Sequence, residues 1–151
     1  MTDLADTIER ELRIAAPVDK VWTALTDYKE FGAWFRCDLD GPFVPGEVTR
    51  GVMRYDGTPG KAIYMRTEEL EAPRRFSFTW PLDEDLPFED AHADGRTTKV
   101  TFELEPDGDA TVLRLVEIGF ESLPEGTRLP HFRRNQKGWT AQMENLTAHV
   151  T

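Results

Sequence analysis

One cysteine is all that the sequence contains, so Cys37 has no partner for an internal disulfide and the chain must be held together by packing. No N-terminal stretch joins a basic start to an apolar segment of about 7–15 residues. A reducing cytoplasm is therefore the predicted address. No run approaches the roughly 18 consecutive apolar residues of a membrane-spanning helix, which argues against a membrane span. Basic residues are also in short supply: 18 Lys and Arg against 28 Asp and Glu leave a formal charge of −10. Phosphate binding relies on clustered cations, so nucleic acid and anionic membrane surfaces are disfavoured as partners.

Histidine is scarce as well. His131 and His149 stand apart on one segment and form no metal pair. His92 lies in the acidic stretch Leu82 to Gly95, LDEDLPFEDAHADG, whose spacing matches neither a calcium loop nor the two-histidine helix of a zinc protease. That stretch reads as a solvated surface connection, and no metal is expected. There is no Gly-rich phosphate loop and no Ser, His, Asp signature, and Cys37 has no histidine near it in sequence. No cofactor and no defined catalytic set are predicted.

What is present is enough apolar material, 39% of 151 residues, to build the core of one domain spanning 1–151. Residues 8–14, IERELRI, alternate as a strand with Ile8, Leu12 and Ile14 on one side. Arg10 falls on that apolar side, either at an edge or as a cation directed inward. Pro17 suits the first turn of a helix, and Val18, Val21, Trp22 and Leu25 then recur at spacings of three and four. A helix of two turns is marginal alone, so its apolar side must be held by something else. Tyr28 to Phe35, YKEFGAWF, offers a second short helix broken by Gly32.

From Gly41 onward, Gly, Pro and Asp separate runs of β-formers, which predicts an antiparallel meander. The strands are Glu47 to Tyr55, Lys61 to Glu71, Arg75 to Pro81, Thr97 to Glu105 and Thr111 to Phe120. In RFSFTW and KVTFEL one face is apolar, carrying Phe76, Phe78 and Trp80 in the first and Val100, Phe102 and Leu104 in the second. PDGDA at 106–110 supplies hairpin-turn chemistry. In the strand 61–71 the contiguous Ala62, Ile63, Tyr64 and Met65 leave the phase open and suggest a bulge. The last segment, residues 131–150, places Phe132, Trp139, Met143, Leu146 and Val150 on one helical stripe. Gly138 inside it lowers helix propensity by about 1 kcal/mol relative to alanine, which points to a close contact or a bend.

Strand, two short helices, several antiparallel strands and a long last helix form a β-α-α-β(n)-α order, an α+β arrangement. In this order the sequence resembles the START-like, or Bet v 1-like (SRPBCC), helix-grip superfamily. More narrowly it is similar to the branch typified by the C-terminal domain of the Hsp90 ATPase activator. The resemblance rests on IAAPVDKVWTALTD at 14–27, Trp34 with Phe35, APRRFSFTW at 72–80, VTFELEPDGDATVLRL at 100–115, IGF at 118–120 and GWTAQMENL at 138–146. It implies a curved antiparallel sheet gripping the long helix, the short helices plugging one end, and a cavity between. The helix of Val18, Val21, Trp22 and Leu25 would be that plug.

Within VLRLVEIGF, Leu113, Leu115 and Glu117 share one face and Val112, Arg114, Val116 and Ile118 the other, and either face could turn inward. Similar proteins direct the Leu, Leu and next alternate polar residue to the cavity, often with histidine where Glu117 stands. An inward Glu117 needs donors or a cation, because an unpaired buried carboxylate costs several kcal/mol or takes up a proton. Arg10, Arg66 and His131 are candidate partners. Trp34, Phe35, Phe78, Trp80 and Trp139 could wall a site for a planar ligand or simply fill a core, and Tyr64 offers a hydroxyl to orient a bound group.

Three functions follow from the resemblance. The first is binding of an apolar or aromatic small molecule, lipid or polyketide-like. The second is a chaperone-interacting module like the Hsp90 activator. The third is an aromatase/cyclase-type enzyme with Glu117 as base and Arg66 or His131 steadying negative charge. Edges of an open sheet also leave a homodimer open.

Overall fold

The computed structural model describes residues 7–54, 61–81 and 97–151. Tyr55 and the acidic stretch with His92 lie outside them. Seven strands form one antiparallel sheet: β1 (Thr7–Ile14), β2 (Cys37–Leu39), β3 (Val48–Met53), β4 (Ala62–Glu71), β5 (Arg75–Pro81), β6 (Thr97–Asp107) and β7 (Ala110–Ile118). Their spatial order is β1-β7-β6-β5-β4-β3-β2, so the first strand closes back on the last and β1 and β2 are the edges. Two short helices, α1 (Val18–Thr26) and α2 (Tyr28–Phe35), follow β1, and the long α3 (Glu125–Val150) ends the chain. This is the α+β helix-grip fold, with a curved open sheet around α3.

Alternation decides which side of the sheet meets α3. Phe76 and Phe78 of β5, Val100, Phe102 and Leu104 of β6, and Leu113 and Leu115 of β7 are all buried on that concave side. The β6–β7 hairpin turns at Gly108, whose φ of +61° is one that L side chains rarely adopt. Strand β4 keeps Ile63, Met65 and Thr67 inward, and its register shifts between Thr67 and Glu69, the bulge expected for this strand.

The short helices close one end. Val21, Ala24 and Leu25 of α1 are buried, while Val18 and Trp22 are half-buried, so the plug rests on Leu25 and Val21 more than on the tryptophan. Each such aliphatic side chain contributes roughly 1.5–3 kcal/mol by leaving water. Pro17 stands one position earlier than expected, as the extended residue capping α1. Asp27 caps α2 by accepting hydrogen bonds from the backbone N–H groups of Lys29 (2.9 Å) and Glu30 (3.2 Å).

Gly32 does not break α2. A Cβ there would stand 2.5 Å from the carbonyl oxygen of Cys37, so glycine is what lets β2 pass against the helix. β2 itself, three residues long, has no periodicity from which it could be read. α3 begins at Glu125, earlier than the expected His131, and carries Pro130 within it. Gly138 does not make the close contact that is one of its two expected roles: a Cβ added there meets nothing within 4 Å.

Candidate functional site

Glu117 is fully buried on the concave face, in line with Leu113 and Leu115. The phase left open by VLRLVEIGF is thereby settled, and the partners of the carboxylate are not those expected. Its Oε1 accepts hydrogen bonds from Trp139 Nε1 at 2.8 Å and Asn135 Nδ2 at 3.1 Å. Its Oε2 accepts from Thr98 Oγ1 at 2.6 Å, Trp80 Nε1 at 2.9 Å and Asn135 Nδ2 at 3.1 Å. Trp80 Nε1 also donates to Thr98 Oγ1 at 3.0 Å, so hydroxyl and indole are tied together before either reaches the carboxylate.

These donors come from three elements. Trp80 and Thr98 are directly paired across β5 and β6, and Glu117 lies on β7 opposite Val100, two residues beyond Thr98. Asn135 and Trp139 are one turn apart on α3, so both project from the same stripe. The constellation therefore joins sheet to helix through a carboxylate whose acceptor positions are met by two indoles, a hydroxyl and an amide. Donor-only indoles and an oriented amide suit an acceptor-only carboxylate.

Arg10 is directed inward from β1, yet its guanidinium donates to the Gln136 carbonyl at 3.1 Å and to Thr140 Oγ1 at 3.4 Å, bracing the edge strand to α3. Arg66 and Tyr64, expected in the site, are not there. The alternation of β4 puts them on the opposite face, Arg66 Nε 3.9 Å from Glu68 and the Tyr64 ring 5.9 Å from the Arg50 guanidinium. His131 is half-buried on α3 one turn before Asn135 and is not among the donors to Glu117. Trp34 is buried nearer the plug, its indole donating to the Ala24 carbonyl at 2.8 Å, a bond that locks α2 onto α1.

The remaining expected residues come together. Trp80 and Trp139 stack with centroids 5.8 Å apart and an interplanar angle of 27°. Phe35 lies 6.1 Å from Trp80 and 6.0 Å from Trp139, and Phe78 packs edge-on to Trp80 at 5.1 Å. Phe102, 5.9 Å from Trp139, continues this wall into the sheet. Trp80 and Asn135 are only half-buried, so the constellation reaches the surface at those two side chains. Sequence reasoning does not single out Thr98 or Asn135. An amide on an otherwise apolar helical stripe, four residues before Trp139, is the available signal.

A second polar atom faces the same interior. Thr67 is fully buried, and its Oγ1 has no hydrogen-bond partner among the described residues. Glu117 pairs with Val100, Val100 with Phe78 and Phe78 with Thr67, which puts carboxylate and hydroxyl on one cross-strand row roughly 14 Å apart. Beside α3, at the β1 edge, a groove of about 470 Å³ is lined by Arg10, Leu12, Thr140, Met143 and Thr147, among others.

The profile of the family described as "Activator of Hsp90 ATPase homolog 1-like protein" matches residues 15–151. This chain belongs to that family. Solved structures share the fold. A protein from Arthrobacter aurescens superposes with a TM-score of 0.79 at 18% identity, covering 99% of this chain and 89% of its own. CalU16 from Micromonospora echinospora gives 0.65 at 23% identity, over 100% and 82%. DynU16, a protein of the dynemicin biosynthetic locus, gives 0.70 at 21% identity over 96% of this chain, which spans about half of it, 47%. No curated protein matches the sequence. Among the described residues of this family member, no helix is long and apolar enough to cross a membrane, and no three His, Cys, Asp or Glu side chains gather as metal ligands.

Proposed function

We propose that this family member binds a planar, largely apolar small molecule, aromatic or polyketide-like, against Trp80, Trp139 and Phe35, with Glu117 as its polar anchor. The observation that carries this reading is the fully buried carboxylate set among stacked rings. Packing alone would be served as well by an apolar side chain, because removing a carboxylate from water is costly even when it is hydrogen-bonded. Pockets for small molecules combine aromatic walls with a few placed polar groups, and Trp80, Trp139, Phe35 and Glu117 have that character. The orphan hydroxyl of Thr67, facing the same interior, is a second point that a bound group could satisfy.

Both oxygens of Glu117 already accept two or more hydrogen bonds, so a ligand group reaches the carboxylate by displacing one of these donors. Burial pushes the Cys37 thiol up to about 12, more than the nearby Arg54 lowers it, so this lone cysteine is an inert core residue and no part of the proposed site.

Native mass spectrometry of gently purified protein, followed by thermal shift against a panel of aromatic compounds, tests the proposal. A co-purifying mass or a concentration-dependent rise in Tm supports it, since a ligand stabilises the state that binds it. No added mass and no shift across the panel would overturn it.

A further inference from the structure

We propose that the ligand of this site is an organic cation, an aromatic ring bearing an amine on an alkyl arm and so protonated at neutral pH, whose ammonium group replaces Asn135 on the Glu117 carboxylate. The inference rests on the binding reading above and adds the sign of the ligand's charge. Among the described residues, every hydrogen bond that Glu117 receives comes from a neutral donor. The side chain that could have neutralised it from β1, Arg10, is directed instead at α3 backbone and Thr140. A buried carboxylate surrounded by neutral donors presents an unneutralised charge to whatever enters, in a chain whose net charge is already −10.

Asn135 is the exchangeable member of the set. Its single amide nitrogen is divided between both carboxylate oxygens at 3.1 Å, the longest of the contacts, and its side chain is half-buried where the others are anchored in the stack or the sheet. A neutral hydroxyl taking its place exchanges one neutral donor for another. An ammonium group forms a charge-assisted bond about twice as strong as a neutral one. An anion in the same place is repelled by Glu117. The order of affinity is therefore amine above alcohol above carboxylate for ligands that share one ring system.

Isothermal titration of the full chain with naphthylethylamine, naphthylethanol and naphthylacetate tests this. The amine is expected to bind at least about tenfold more tightly than the alcohol, with no heat from the acetate. In Glu117→Gln the amine loses its advantage over the alcohol. Should that variant fail to fold, pH gives the second reading: raising it past the amine's own pKa, roughly 10, brings the affinity of the amine down to that of the alcohol, whose own affinity stays as it was. Equal affinity of amine and alcohol for the unaltered protein, or an amine affinity that does not fall relative to the alcohol's as the amine loses its proton, overturns the cation assignment and leaves the binding site standing. No binding by any of the three overturns both.

Discussion

Trp139 carries two duties in one side chain, filling the stack with Trp80 and donating to Glu117 at 2.8 Å. Trp139→Phe keeps a ring but leaves Oε1 of a buried carboxylate with only the shared Asn135 amide at 3.1 Å, so a loss of roughly 2–4 kcal/mol is expected in urea unfolding. Thr67→Val should act in the opposite direction. Replacing a buried hydroxyl that lacks a hydrogen-bond partner among the described residues by a methyl of nearly the same shape is expected to raise stability by about 1 kcal/mol, provided that no ligand is bound. Cys37, buried and with its thiol pushed up to about 12, should resist a thiol reagent in the native protein and react once it is unfolded; rapid native labelling would contradict its placement. At this scale the sequence is only partly legible. Glu117, Trp80 and Trp139 can be named because aromatic residues alternate cleanly in RFSFTW and the final stripe is periodic. The direction of Glu117 cannot, because Val112, Val116 and Ile118 make its opposite face apolar too. Asn135 is visible only as an amide on an otherwise apolar stripe of α3, and nothing in the sequence pairs it with Glu117.

Strand β4 shows why elements are easier to find than to orient. Ala62, Ile63, Tyr64 and Met65 are apolar on both faces, so alternation does not choose between them, and Tyr64 and Arg66 lie on the outside. That outer face has its own electrostatics. Ser77 Oγ donates to Glu69 at 2.9 Å, and Lys99 and Arg75 stand 3.3 Å from the same carboxylate. Glu69 is held below its ordinary value of 4.5, first by the Ser77 hydrogen bond and then by Lys99 and Arg75, against an opposing effect of burial. A lowered folded value means that the unfolded chain takes up the proton first. The stability so gained is present above the ordinary carboxylate range and is lost as pH falls through the lowered folded value. Ser77→Ala should therefore flatten the fall in urea midpoint between about pH 6 and pH 3; an unchanged acid limb would show that the hydrogen bond has no such effect. On α3, Gly138 is exposed in the helix interior with open space around it. Gly138→Ala should stabilise by about 0.5–1 kcal/mol, read as a higher Tm. A loss instead would mean that the helix needs glycine there for a reason its surroundings do not show.

For the whole molecule, the order of elements is readable from hydrophobic period and turn chemistry, because each strand and helix must bury one face and the two periods differ. The element order then matches one sheet wrapped on one helix. What the chain does with the enclosed face is carried by few residues, and it is here that Glu117 joins β5, β6, β7 and α3 at a single carboxylate. Any ligand anchored there must disturb two of the four tryptophan indoles, since Trp80 and Trp139 donate to Glu117 while Trp34 donates to the Ala24 carbonyl beneath the plug. Nitrogen-15 labelling of the tryptophan side chains gives each indole N–H its own resonance. Titration with naphthylethylamine should move or broaden the signals of Trp80 and Trp139 together, saturate, and leave that of Trp34 in place. If the Trp80 and Trp139 signals stay fixed at saturating amine, or if Trp34 alone responds, then the buried carboxylate is a strut between sheet and helix and not the anchor of a ligand.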